Sequence, residues 1–356
     1  MASHSMVARF VLVAGLSLSG VSGSEPPTKA SVQVEPALIR ETVEALCLML
    51  NREYFDSTVA ARTSEALRDR LLKGRYHPFT SAESLGKALT ADMYELTRDK
   101  HLVVSPVVES SPSQTLPTAI DITSREAAAR RSNFGVQGIE ILPGNVGYLH
   151  LTAFYRPDEA REALASAMTT LRYADALILD LRDNGGGSSG TLALMASYFF
   201  ETSGLPLFEV VPRPPAKITR FATESVLLQD RNEQRPMYVL VSMSTWSAGE
   251  GLAFILQERH RAEVIGQVTP GAGNQGRTYR LNARFEANIS NGMVRTAFQG
   301  RSLEGTGVVP DVPTPPSEAL RVAHERAIRG LMQKFPAGAW REALERELAA
   351  LQGQKP

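Results

Sequence analysis

Hydrophobic positions along the chain fall into two regimes. Between residues 36 and 100 they recur at helical spacing, as Leu38…Val43…Leu46…Leu50 and again as Ala66-Leu67…Leu71-Leu72. Ser81-Ala-Glu-Ser84 reads as the start signal of a third helix through Leu85, Leu89, Met93 and Leu96. This pattern predicts an N-terminal helical module over 36–104. Residues 105–132 turn Ser/Pro/Thr-rich and then charged, the composition of a connecting segment.

Beyond it, short apolar runs alternate with helical spacing. Val136–Leu142 and Val146–Leu151 flank Pro143-Gly144-Asn145, a hairpin signal. Pro157 to Tyr173 predicts a helix with Asp158 and Glu159 near its start. Ala176-Leu-Ile-Leu-Asp180 and Met237-Tyr-Val-Leu-Val241 predict buried strands, followed by helices from about Thr191 and from Ala248 to Glu258. Apolar runs at Leu205–Val211 and Val264-Ile265, with a hairpin at Asn291-Gly292, complete a mixed α/β core over 133–316. Residues 317–356, rich in Ala, Glu, Leu and Arg, predict a C-terminal helical tail.

The first 23 residues follow another rule. One charge, Arg9, precedes the apolar run Phe10–Leu18, and Val21-Ser-Gly-Ser24 supplies small residues before the polar Glu25-Pro-Pro-Thr-Lys29. That is the pattern of a signal peptide over 1–23, and the run is shorter than the ~20 residues of a membrane span. The expected product is exported, periplasmic or secreted, with no stable membrane insertion after cleavage.

Composition narrows the chemistry. With 356 residues, 38 basic against 38 acidic side chains and zero formal net charge, general nucleic-acid binding is disfavoured. The single cysteine, Cys47, forms neither an internal disulfide nor a cysteine-based metal cluster, and no motif calls for a cofactor or metal.

Two turns could carry chemistry. Asp180-Leu-Arg-Asp-Asn-Gly-Gly-Gly187 follows a buried strand, and its glycines can present backbone N–H groups to an anion or oxyanion. Ser244-Thr-Trp-Ser247-Ala-Gly-Glu250 joins a strand to a helix, which suits Ser247 as a nucleophile beside the Ala248 amide. The same Ser247-x-x-Glu250 is also a capping box. A nucleophilic serine needs a base, and no lysine occurs between Lys217 and Lys334; the 38 basic residues comprise 31 Arg and only 7 Lys. Arginine does not deprotonate in proteins, so histidine is the expected base. Of six histidines, His101 stands where a polar loop feeds an apolar strand, whereas His150 lies within a strand and His260 at a helix exit. Leu303-Glu304-Gly-Thr-Gly-Val-Val-Pro-Asp311 offers Glu304 or Asp311 as the carboxylate that orients the imidazole.

Taken in order, Asp99-Lys-His-Leu-Val-Val104, Leu179-Asp-Leu-Arg-Asp-Asn-Gly-Gly-Gly187, Ser244-Thr-Trp-Ser-Ala-Gly-Glu250, Gly266-Gln-Val-Thr-Pro-Gly-Ala-Gly273 and Glu304-Gly-Thr-Gly-Val-Val-Pro-Asp311 resemble peptidase family S41. The likeness is to its branch with the tricorn core and the interphotoreceptor retinoid-binding modules. It implies a ClpP/crotonase-like α/β core and a peptide or protein substrate. Ser247 would be the nucleophile, His101 the base and Glu304 its carboxylate, with the Ala248 amide and a Gly185–Gly186 amide as oxyanion donors. About 30 residues separate Ser105 from Phe134, too few for the PDZ domain of many processing members. The resemblance also admits a non-catalytic binder of lipophilic ligands, or an esterase on the same triad.

Overall fold

The computed structural model describes residues 34–107, 126–226 and 235–353. The expected signal peptide, 1–23, and most of the connecting segment lie outside these residues.

Three helices, α1 (Pro36–Glu53), α2 (Ser57–Leu72) and α3 (Ala82–Thr97), open the fold. Asp56 caps α2 by accepting from the amides of Thr58 and Val59, and Ser81 caps α3 by accepting from Ser84. Their apolar stripes do not close a core alone. Val43, Leu46, Leu50, Leu67, Leu85 and Leu89 share one buried cluster with Tyr279, Phe285, Ala287 and Ile289 from distant strands.

Those strands form a five-stranded sheet in the order β1 (Val103–Pro106), β10 (Phe285–Thr296), β5 (Pro206–Pro212), β6 (Thr219–Ala222), with β9 (Gln275–Arg280) also paired to β10. All its pairings are antiparallel. Here one expectation is overturned: Asn291-Gly292 is not a hairpin turn. It lies inside the 12-residue β10, at an irregularity between Ser290 and Gly292, where β10's neighbour changes from β9 to β5. Pairing with β5, brought in from far earlier in the chain, and with the preceding strand β9 outweighs the local turn signal. Glycine is required because a Cβ at 292 would stand 2.4 Å from Val210 Cγ1.

The second sheet has six strands in the order β11 (Val312–Pro313), β8 (Glu263–Gly266), β7 (Met237–Val241), β4 (Ala176–Asp180), β3 (Val146–Leu151), β2 (Val136–Leu142). β11 through β3 are parallel, and β2 closes as the antiparallel hairpin expected around Pro143-Gly144-Asn145. Every residue of β4 and β7 is buried, because helices cover both faces. One face packs α4 (Pro157–Thr170), α5 (Ser189–Ala196) and α6 (Ala248–Glu258); the other packs α7 (Pro316–Lys334) and α8 (Ala339–Leu351). The result is a mixed α/β fold. Loops at the carboxyl ends of adjacent parallel strands are a recurrent place for a site. Both glycine- and serine-bearing turns leave the ends of β4 and β7.

Candidate functional site

Asn184 joins the two turns. It is fully buried, its Nδ2 donates to Leu151 O at 2.8 Å, and its carbonyl accepts from Trp246 N at 2.8 Å. Thr245 Oγ1 adds a bond to Leu181 O, and Ser242 Oγ one to Arg182 O. A Cβ at Gly249 would stand 2.6 Å from Asn184 Oδ1, so the start of α6 requires glycine there.

Ser247 is held at φ 51°, ψ −116°, a region a side-chain-bearing residue rarely adopts. Glu250 sustains it. Its carboxylate, fully buried, accepts from Ser247 N (2.8 Å), Thr269 Oγ1 (2.6 Å), Gly271 N (2.6 Å) and Ala272 N (3.0 Å). The Ser247–Glu250 pairing expected as a cap is therefore present, and it leaves the Ser247 hydroxyl for another partner. That partner is His101: Nε2 lies 3.2 Å from Ser247 Oγ, across 146 residues of sequence. None of the alternatives reaches this point. His150 faces Asp183, His324 meets Pro143 O, and His260 is exposed at the end of α6. Lys100, beside the base, donates its ammonium to the Pro270 carbonyl.

His101 is anchored at its backbone. Its N–H donates to Asp99 Oδ1 at 2.9 Å and its carbonyl accepts from Asn288 Nδ2 at 2.7 Å, while Trp246 lies 6.0 Å away, ring to ring. Burial pushes the imidazole below its usual pKa, against the opposing charges of Asp99 and Glu250. The ring is thus neutral near pH 7, as a base must be.

Glu304 lies in the same cluster, with Asp99, His101 and Glu304 each offering one atom within 4.8 Å of the others. Its Oε2 accepts from the amides of Gly273 and Asn274, both at 2.7 Å, and Oε1 takes a 3.4 Å contact from Lys100 N. No hydrogen bond joins it to His101, whose Nδ1 is buried without a partner. Burial first, and then the Asp99 charge, push the Glu304 carboxyl up to about 7. Asp99 was not singled out in the sequence as a site residue. It is buried and accepts from His101 N, from Tyr54 OH (3.2 Å) and from Asn274 Nδ2 (3.0 Å). Its short Asp-x-His spacing is the one signal that could have marked it. Protein donors already occupy both carboxylates, so the cluster is a hydrogen-bond and charge network around the base rather than a set of open metal ligands. Asp311, the other carboxylate considered, accepts from Val264 N and Gln257 Nε2 and belongs to the β8 frame.

The glycine turn departs from the expectation at two amides. Gly185 N donates to Thr152 O at 3.0 Å and Gly186 N to Asn184 Oδ1 at 2.9 Å, so neither amide is open, contrary to the expectation. The reason is that these two glycines make the tight turn that Asn184 braces. Gly187 bridges Phe154 through its neighbours, with Phe154 N bonding Gly186 O and Ser188 N bonding Phe154 O. That pattern turns the Gly187 amide away from Phe154, and Gly187, Ala248 and Ser247 line one cavity. Gly186 still matters: at φ 84°, a Cβ there would stand 2.8 Å from Trp246 O and 2.9 Å from Ser247 Cβ. Cys47 is buried, and burial raises its thiol to about 11.

A serine on a strained strand-to-helix turn within reach of a buried imidazole, at the carboxyl edge of a parallel sheet, defines an α/β protein with a site of the serine-hydrolase kind. Residues 145–314 match the family model described as Peptidase family S41, and residues 34–132 match the N-terminal domain of Peptidase_S41 in eukaryotic IRBP. The chain belongs to peptidase family S41. It is 31% identical over 189 residues to carboxyl-terminal-processing peptidase 2, chloroplastic, of Arabidopsis thaliana, covering 49% of this chain and 34% of the relative. To the carboxyl-terminal-processing protease of Synechocystis sp. (strain ATCC 27184 / PCC 6803 / Kazusa) it is 31% identical over 179 residues, covering 48% and 38%. The matched region spans little more than a third of these relatives' length. A candidate peptidase structure from Parabacteroides merdae ATCC 43184 aligns with TM-score 0.52 at 17% identity, over 84% of this chain and 97% of that one, which shows the shared fold.

Proposed function

We propose that this chain is an exported serine peptidase that cleaves peptide bonds through an acyl-enzyme on Ser247, with His101 as base. The observation that carries the reading is the 3.2 Å approach of His101 Nε2 to a Ser247 hydroxyl left free by its own helix cap. As Oγ attacks the carbonyl carbon, Nε2 takes its proton, and the oxyanion forms at the α6 amino end beside the Ala248 amide. Gly187 N–H is the second donor in this reading. Losing one such donor typically costs about 100- to 1000-fold in rate. The imidazolium then gives its proton to the leaving amine, and water hydrolyses the ester by the same route in reverse. Glu304 and Asp99 supply negative charge near the imidazolium. Peptide as substrate is supported by the family and by the processing-protease names of the relatives. Export rests on the pattern of residues 1–23; among the described residues no helix is long and apolar enough to cross a membrane. An esterase on this triad would favour ester over peptide substrates in a matched panel. The lipophilic-binder alternative is not favoured, since such a role needs no serine–histidine contact. A fluorophosphonate probe tests the reading: it labels the wild type and not Ser247→Ala or His101→Gln. An unlabelled wild type, or equal labelling of Ser247→Ala, refutes it.

A further inference from the structure

We infer that the cavity beside Ser247 holds the side chain of the residue whose carbonyl is attacked, and that it selects a bulky apolar side chain of the leucine or phenylalanine class. The inference rests on the serine-peptidase reading and names its substrate class.

A cavity of about 300 Å³ opens at Ser247. One face of α6 forms its floor, where Ala248, Gly251 and Ile255 recur at helical spacing. Leu192 of α5, Phe208 of β5 and Val294 of β10 form the walls. Leu192, Phe208 and Ile255 are buried members of the main core, so this lining is fixed in place rather than borrowed from a loop.

Position along the helix assigns the cavity to the acyl side of the substrate. A carbonyl oxygen at the Ala248 amide leaves its Cα beside the first turn of α6, so the attached side chain passes over Gly251. The missing Cβ keeps that passage open, since a methyl there would come within 2.9 Å of Leu192 Cδ1. Phe254 lies seven residues beyond Ser247, about 10 Å on at 1.5 Å per residue, which leaves room for an aromatic ring. His101, which must face the leaving amine, lines the cavity together with Asn274 and Asn288, outside the apolar walls.

Charge sharpens the choice. Arg301 lies over the Phe254 ring at 5.2 Å, and Arg295, bound to Glu209 at 2.8 Å, stands with it in the lining. Glu209 neutralises Arg295, so the Arg301 guanidinium is the charge that repels a lysine or arginine side chain; an acidic one is drawn to that guanidinium but loses water to the apolar walls.

The test uses N-acylated diphenyl phosphonates of Phe, Leu, Ala, Glu and Lys on the full chain, with a simple fluorophosphonate in parallel. Phe and Leu probes should label Ser247 at least about 100-fold faster than the Ala probe, since one methylene in an apolar pocket is worth about 10- to 200-fold. The Lys probe should be slower than Ala, and the Glu probe slower than Phe and Leu. Gly251→Val from the floor and Val294→Phe from a wall should each cut the Phe/Ala rate ratio at least tenfold. The ratio is the readout because it is independent of a general loss of reactivity. The inference is overturned if the fluorophosphonate labels Ser247 while the five probes react within about threefold of each other. A Glu or Lys probe reacting fastest, or a ratio unmoved in both variants, overturns it as well. If the fluorophosphonate itself fails on the wild type, the peptidase reading is lost first and the pocket assignment with it.

Discussion

Glu250→Gln is the sharpest probe of how this site is held. The carboxylate is fully buried and meets four donors, two at each oxygen: Thr269 Oγ1 and Gly271 N at Oε1, Ser247 N and Ala272 N at Oε2. Glutamine keeps the volume but turns one oxygen into an NH₂ group. With the NH₂ turned towards Ser247 N and Ala272 N two backbone donors lose their acceptor, whereas turned towards Thr269 and Gly271 it strands only Gly271 N, because the Thr269 hydroxyl can accept. A hydrogen bond to a charged group is worth about 1.5–3 kcal/mol, so the one bond lost in the better orientation sets the cost at about 1.5–3 kcal/mol. Thermal unfolding should fall by about 5 °C, taking about 2–4 °C per kcal/mol as the slope of domains of about 150–250 residues. The Ser247 amide is one of the four donors, so fluorophosphonate labelling should also drop by more than tenfold at temperatures where the variant remains folded. Urea denaturation and labelling rates at 20 °C measure both effects. A loss below about 1 kcal/mol with unchanged labelling would falsify the view that this carboxylate ties the Ser247 turn to the 269–272 loop.

Three further outcomes follow from the same geometry. Gly186→Ala should abolish labelling, because its Cβ meets backbone at 2.8 Å, whereas Gly204→Ala, at φ 80° in open space, should cost only about 1–2 kcal/mol of backbone strain and leave labelling intact. Glu304, raised from 4.5 to about 7, binds a proton in the folded state that the unfolded chain releases. Its contribution to stability is therefore present below about pH 4.5 and is lost as pH rises to about 7, by at most about 3 kcal/mol before solvent screening; urea titrations should show this slope, and Glu304→Gln should remove it. The labelling rate should rise with pH in two steps, first as His101 loses its proton below the ordinary histidine value and again near 7 as Glu304 ionises and stabilises the imidazolium. Asp99→Asn should move the first step to lower pH, and Glu304→Gln should delete the second; a single step unmoved by either substitution would remove both carboxylates from the base's surroundings.

Much of the framework was legible along the chain, because it depends on local rules. Helical spacing and the Ser81 cap marked α3, all-apolar runs marked β4 and β7, and Pro143-Gly144-Asn145 marked its hairpin. Asn291-Gly292 shows the limit of those rules: the preceding strand β9 and the sequence-distant β5 together hold it extended within β10. The three helices likewise read as a self-contained module, yet their core is completed by Tyr279, Phe285, Ala287 and Ile289. Periodicity reports that a face is apolar, not which partner covers it.

The site divides along the same line. Residue chemistry by itself offered Ser247 as nucleophile and left Glu304 and Asp311 open as the carboxylate, the family resemblance choosing Glu304, and the empty lysine window from 217 to 334 directed the search for a base to histidine. Tertiary structure decided what depends on approach across long stretches of chain: that His101 and not His150 or His260 reaches Ser247, and that Asp99 anchors the histidine backbone. It also decided that the Gly185 and Gly186 amides are consumed by Thr152 and Asn184, while Gly185 and Gly187 both line the cavity. Sequence lists which donors and acceptors exist, whereas only the folded chain determines which of them are already paired.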